Sequence, residues 1–360
     1  MTKRIYTKIV GTGSYIPTRT IGNDHFRNYT FYDPATKLPF EKSNEEIILK
    51  FKEITNISER HWISNDINNS DMASLAVKDA CESANLDPET LDFIIVAHNF
   101  GDVDPISTRV DILPSLANRV KAKLNIKNPA CFCHDILSGC PGWTQGMITA
   151  DAYIRSGMAK RGVVVGSDVL SRISDPHDRD TMIYADGAGA TIVEAIESPE
   201  PTGILSHSSR SDSVHYWNLL INGKSSNPEF EGSDQFIKMA GHKLYVYALN
   251  FVPLVVKESI DKAGLHLGDI KKVLIHQANE KMDEAILKNV FKLYNEKIIP
   301  KGIMPMTIEK LGNSSTATVP TLLDKILKGQ MEGQVINPGD HIILCSVGAG
   351  MNINSIIYKV

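Results

Sequence analysis

Along most of the chain, short unbroken apolar runs alternate with longer stretches in which apolar residues recur every three or four positions. Phe93–Ala97, Val163–Val165 and Ile342–Leu344 have no polar alternation, which predicts strands covered by helices on both faces. Ala76–Leu86 and Val255–Leu265 show the helical spacing instead, and each leads into such a run. The opening residues through Pro17 read as a further strand. Helices alternating with apolar strands predict an α/β protein whose sheets are mostly parallel and joined by crossovers.

These elements repeat. Ala84 and Ala263 stand 179 residues apart in matching helix ends, and the same offset relates Ser167 to Ser346 and Pro141 to Pro320. One offset held by three separated matches indicates a duplicated α/β unit. The halves span residues 1–190 and 200–360, and the polar segment 197–203 joins them. Residues 24–45 form an irregular insertion that could cover a substrate entrance.

Composition narrows the classes. The 360 residues are 42% hydrophobic and 22% charged, with a net charge of −4, so a basic nucleic-acid surface is not expected. No run of about 18 apolar residues predicts a membrane span, and the start lacks the apolar core of a signal peptide. Five cysteines read as reduced thiols in a cytoplasmic protein. Cys131 and Cys133 lack a second pair at zinc spacing, so no metal is expected.

Candidate chemistry centres on three places. Gly139-Cys140-Pro141-Gly142 precedes a helical stretch, and proline suits a first helical position. Cys140 would then sit at a helix N-terminus, where free N–H groups and the dipole favour a thiolate and an oxyanion. His276 ends a buried strand, where α/β folds collect functional groups, and is followed by Gln277, Ala278 and Asn279. Asn313 lies in a loop of small polar residues that the repeat makes equivalent to the loop before Cys140. A duplicated fold would bring the three to one face near its pseudo-twofold axis. Each residue also has a plain structural use: a small buried thiol, a satisfied histidine, a helix cap.

Taken in order, several motifs resemble the 3-oxoacyl-(acyl carrier protein) synthase III family over nearly the whole chain. They are Lys8–Pro17, Asn56–Arg60, the Gly139-Cys140 turn, Val165–Arg172, Ala185–Ala190, His276–Asn279, Gly312–Ser315 and Ser346–Gly350. The resemblance implies a thiolase-like fold layered αβαβα and a ping-pong condensation. Cys140 would carry the acyl group, with the main-chain N–H groups of Cys140 and Ala349 as oxyanion hole. His276 and Asn313 would stabilise the enolate of a malonyl-type thioester. It further implies that Arg172 and Asn279 contact the coenzyme A donor. Lys281 would dock an acidic carrier protein, Leu113 would reach the acyl pocket of a partner in a homodimer, and His242 would contact substrate from a position where asparagine is common. No cofactor is implied beyond coenzyme A or carrier-protein thioesters as substrates.

Some positions depart from the family. Residues 44–53 lack the adenine-stacking tryptophan, Pro141 and Trp143 alter the cysteine turn, and the 24–45 insertion is long. These features resemble relatives that join larger acyl chains in secondary metabolism, such as dialkylresorcinol-forming enzymes. A degradative thiolase would need a second cysteine where Ser346 stands, and Cys345 falls on the opposite strand face. A hydroxymethylglutaryl-CoA synthase would need a glutamate near the thiol, and residues 99–111 offer only aspartates. A non-catalytic ketosynthase-like partner would be expected to lose the nucleophile. Side chains such as Trp217 and Tyr245 are expected to bear on pocket volume.

Overall fold

The structure is a computed structural model and describes residues 3–360. The first half runs β1 (Arg4–Tyr15), α1 (Asn44–Thr55), α2 (Asn69–Ser83), β2 (Phe93–Ala97), α3 (Leu116–Lys123), β3 (Phe132–Ile136), α4 (Gly142–Arg155), β4 (Arg161–Val169) and β5 (Asp186–Ser198). The second runs β6 (Gly203–Ser211), α5 (Gly241–Lys262), β7 (Ile270–Ile275), α6 (Glu280–Leu293), α7 (Thr318–Leu327), β8 (His341–Gly348) and β9 (Asn352–Lys359). The strands form one five-stranded sheet, β1-β5-β4-β2-β3, and one four-stranded sheet, β6-β9-β8-β7.

The repeat is visible in this order. Shifted by 179 residues, β2 falls on β7 and β4 on β8, and both sheets read the same from their outer strand inward. Among the described residues β3 has no strand counterpart. In its place the Ile303 carbonyl accepts the Val273 N–H at 2.8 Å.

Three apolar layers separate and cover the sheets. Helices α4 and α7 fill the middle, where Trp143, Met147 and Leu323 meet Ile95 and Val164 of one sheet and Leu274 and Leu344 of the other. Helices α2 and α3 cover the outside of the first sheet through Met72 and Val120, against Ile94 and Val163. Helices α5 and α6 cover the second through Val256 and Ile286, against Val273 and Ile343. Successive strand residues therefore enter different apolar layers, which is why the runs carry no polar alternation. The result is the layered αβαβα arrangement.

The expectation of mostly parallel sheets is corrected. β2 runs parallel to β3 and β4, and β7 to β8, but β5 and β9 are each antiparallel to both neighbours. The tight turn Ala349–Met351 returns the chain directly from β8 into β9, which forces a hairpin. Apolar runs signal double-sided cover but not strand direction.

Candidate active site

Cys140 follows β3 and precedes α4. Pro141 sits one position earlier than expected, as the helix cap, and its carbonyl accepts the Gln145 N–H at 2.8 Å. The thiol is only partly accessible. Burial pushes its pKa up to about 11, against the pull of a hydrogen bond from Ser315. Loss of water thus opposes the helix end, whose N–H groups and dipole favour the thiolate.

His276 emerges from β7, with its N–H donated to the Cys345 carbonyl on β8 at 2.9 Å. Its ring is buried, and the loss of water lowers its pKa to about 4, the neighbouring Ser315 main chain acting in the opposite direction. The imidazole is thus neutral near pH 7.

Asn313 is fixed by the other half of the chain. Its N–H donates to the Ile183 carbonyl at 2.9 Å, and its carbonyl accepts the Ala185 N–H at 2.8 Å. Its side-chain Oδ1 accepts the Ser315 N–H at 2.8 Å, so the amide nitrogen is left to donate. Cys140, His276 and Asn313 all line one inner chamber of about 260 Å³.

A polar network behind the chamber holds these parts. The Ser315 hydroxyl donates to the Cys140 sulfur at 3.4 Å, and the Asn99 amide donates to that hydroxyl at 2.9 Å. Asn99 also donates to Asp168 at 2.7 Å, and Asp168 accepts from the Thr316 hydroxyl at 2.9 Å. Sequence reading gave Asn99, Ser315 and Asp168 no role. Their signal was position alone: Asn99 just beyond a buried strand, Ser315 inside the asparagine loop.

The two backbone segments meant to hold an oxyanion abut. A Cβ on Gly348 would lie 2.7 Å from the Cys140 nitrogen, and one on Gly139 would lie 2.7 Å from the Ala349 nitrogen. Only hydrogen at both positions lets the two amides come together. Ala349 also lines the inner chamber.

An outer chamber of about 630 Å³ shares Met239, Leu244, Ala278 and Met282 with the inner one. The 24–45 insertion forms part of its wall through Asp33, Phe40 and Glu41. Asn279 and Tyr245 line it, and Asn279 also caps α6 by accepting the Met282 N–H at 3.1 Å. Lys281 is 57% exposed on α6, 3.9 Å from Glu53. Arg172 lines neither chamber, because its guanidinium donates to the carbonyls of Val103, Ser64 and Ile67. His242 is exposed at the start of α5 and also lines neither. Leu113 is 86% exposed and Trp217 is exposed as well. Cys345 packs into the outer apolar layer around α5 and α6, away from the chamber.

Among the described residues, no cluster of three His, Cys, Asp or Glu side chains is placed to hold a metal. No helix among them is long and apolar enough to cross a membrane.

Comparison with known proteins accords with this geometry. Residues 134–213 match the family described as 3-oxoacyl-[acyl-carrier-protein (ACP)] synthase III, and residues 260–360 match its C-terminal part. The synthase III of Aquifex aeolicus is 29% identical with a TM-score of 0.79, covering 98% of this chain and 100% of that one. The Thermus thermophilus enzyme is 28% identical with a TM-score of 0.78, covering 98% and 99%. The priming β-ketosynthase of the R1128 polyketide pathway shares the fold at 23% identity and a TM-score of 0.79, over 100% and 98%. The fold is that of the thiolase-type condensing enzymes. Within that class, the chain belongs to the 3-oxoacyl-(acyl carrier protein) synthase III family.

Proposed function

We propose that the protein catalyses a decarboxylative Claisen condensation through an acyl-Cys140 intermediate. The supporting observation is the inner chamber, where Cys140 faces His276 and Asn313 and the Asn313 carbonyl oxygen is already occupied. The Cys140 sulfur, once deprotonated, attacks the carbonyl of an acyl thioester. The oxyanion rests on the Cys140 and Ala349 N–H groups until the carrier thiol leaves with a proton. A malonyl thioester then binds with its carbonyl against His276 and Asn313. Its carboxylate departs as carbon dioxide and the bonding electrons form an enolate. The enolate carbon attacks the acyl-Cys140 carbonyl, the C–S bond breaks, and a 3-oxoacyl thioester leaves. A neutral histidine suits this step, which needs hydrogen-bond donors and no base.

The donor is an acyl-coenzyme A or acyl-carrier-protein thioester, and the extender is a malonyl- or 3-oxoacyl-type thioester. The step belongs to fatty-acid initiation or a related pathway. A variant that joins larger acyl chains is favoured by the outer chamber, whose aromatic lining is Phe40, Phe51 and Tyr245, with no tryptophan to stack on adenine. We further propose a homodimer, with Leu113 reaching the partner's acyl pocket, and Lys281 as the docking cation. Retention of all three site residues favours catalysis over a non-catalytic partner role. Release of carbon dioxide from malonyl thioester, coupled to 3-oxoacyl product, tests the reaction. Acylation of Cys140 with no condensation product would contradict the second half of the reaction, and no acylation at all would favour a binding role.

A further inference from the structure

Asp180 lies in the short helical turn Arg179–Ile183, on the wall of the outer chamber. Ile183 of the same turn lines that chamber too, and Tyr184, one residue on, lines the inner one. The turn thus runs along the junction of the two chambers. Asp180 is half-buried, and among the described residues neither carboxyl oxygen has a hydrogen-bond partner. Both oxygens nevertheless keep accessible surface. A carboxyl stripped of most of its water yet still accessible faces a cavity, and the cavity it lines is the outer chamber. Its cations are engaged elsewhere. Lys238 gives its three N–H donors to Asp175, Asp178 and Ser226. Arg179 is exposed and stands over the Phe40 ring, 5.0 Å from its centre. Asp178 accepts the Asp180 N–H at 3.0 Å, which fixes the turn. Across the chamber, Asp33 and Glu46 accept main-chain N–H groups of their own segments, while Glu41, Lys42 and Lys50 are exposed. A half-buried acceptor without a donor is unfavourable, so one kept beside a substrate passage points to a donor that arrives with the substrate.

We propose that Asp180 is a specificity residue that accepts a hydrogen bond from an N–H or hydroxyl group in the distal half of a pantetheine arm, the thiol carrier common to coenzyme A and acyl carrier protein. The enzyme would then select thioesters on the full arm over those on a truncated one. The assignment rests on the condensing reading given above. A thioester that places its sulfur at Cys140 lays its cysteamine end in the inner chamber and the rest of its arm in the outer one. The atoms opposite Asp180 are then the second amide and the hydroxyl beyond it. Both carry donors, in a passage whose apolar wall includes Phe40, Phe51, Ile183 and Leu244. Burial and the Asp178 carboxylate raise the pKa of Asp180, and Arg179 and Lys238 oppose them. The protonated carboxyl keeps an acceptor oxygen and the ionised one has two, so the bond forms in either state and is stronger in the second.

Single-turnover acylation of Cys140 at subsaturating donor, followed by intact-protein mass, would compare octanoyl-pantetheine with octanoyl-N-acetylcysteamine, whose arm stops after the first amide. Wild type is expected to prefer the full arm by about tenfold, the worth of one hydrogen bond to a charged group. In Asp180→Ala the preference should shrink to about twofold or less, and Asp180→Asn, which keeps an acceptor oxygen, should recover part of it. Neither variant should melt lower, since no internal side-chain hydrogen bond is removed. Octanoyl-coenzyme A and an octanoyl-carrier protein distinguish the sources of the arm, and Asp180→Ala should slow whichever of the two acylates wild type faster. An equal preference in all three proteins would overturn the proposal, as would equal slowing of both small donors in Asp180→Ala. An asparagine variant no more selective than the alanine one, or an unslowed natural carrier, would overturn it too. If folded wild type took an acyl group from none of these donors, the condensing reading would fail and this proposal with it. An unchanged preference with acylation intact would strike this proposal alone.

Discussion

The Ser315 hydroxyl donates to the Cys140 sulfur at 3.4 Å, and the Asn99 amide donates to the same hydroxyl oxygen at 2.9 Å. The asparagine occupies a lone pair and turns the serine proton toward sulfur, so a loop after β2 in one half prepares the thiol through a loop of the other. Ser315 holds a left-handed main-chain conformation, with φ at 53°, a constraint that a non-glycine residue keeps only when its surroundings impose it.

Ser315→Ala should therefore raise the thiol pKa further. A hydrogen bond to a charged group contributes about 1.5–3 kcal/mol, or roughly one to two pH units. Site-resolved alkylation of Cys140 by iodoacetamide should be about tenfold slower at pH 8–9, with its midpoint moved upward. An unchanged profile would show that the hydroxyl does not bear on the thiolate.

His276 should lend the fold a particular pH dependence. Its folded pKa of about 4 lies below the unfolded value of 6.5, so between these values the unfolded chain binds the extra proton. Stability from this group is full above pH 6.5 and declines as pH falls toward 4, by on the order of 3 kcal/mol. His276→Gln should lose that slope, and urea titrations of both proteins from pH 7 to pH 4 would show it. Parallel curves would mean that the folded histidine titrates normally.

Gly348→Ala should separate thiol reactivity from acyl transfer. The new Cβ would press on the Cys140 nitrogen and the Pro141 Cδ, each at 2.7 Å, and force the two amides apart. Loss of one oxyanion donor costs about 100- to 1,000-fold in rate. Acylation should fall by that order while alkylation of Cys140 falls far less. Equal losses would place the damage at the thiol instead.

Lys281 offers a test of donor type. Lys281→Glu is expected to slow acylation by an acidic acyl carrier protein severalfold more than by a small pantetheine thioester. The difference should fade in 1 M salt, where the screening length is about 3 Å. Equal effects on both donors would remove it from carrier recognition.

Much of this was legible because the chain repeats itself. The 179-residue offset made Ser167 and Ser346 equivalent strand ends and predicted that Asn313 lies opposite the approach to Cys140. Strand direction was not legible, since Val163 and Ile343 look alike in parallel or antiparallel company. Asn99 and Ser315 escaped notice because their meaning arises only where the halves meet. The opposing pull on Cys140 was hidden for a similar reason: a helix end can be read from Pro141 and Gly142, but the loss of water around the sulfur cannot. Leu113 and Arg172 show the reverse, one left exposed and the other engaged by carbonyls, in positions that sequence alone does not distinguish.

The most direct test is intact-protein mass spectrometry of wild type and Cys140→Ala after incubation with a panel of acyl-coenzyme A and acyl-carrier-protein donors. Wild type is expected to gain the mass of one acyl group from at least one donor, and Cys140→Ala none. Folded wild type that gains no acyl mass from any donor, or Cys140→Ala that gains the same mass, would contradict acyl transfer through this cysteine.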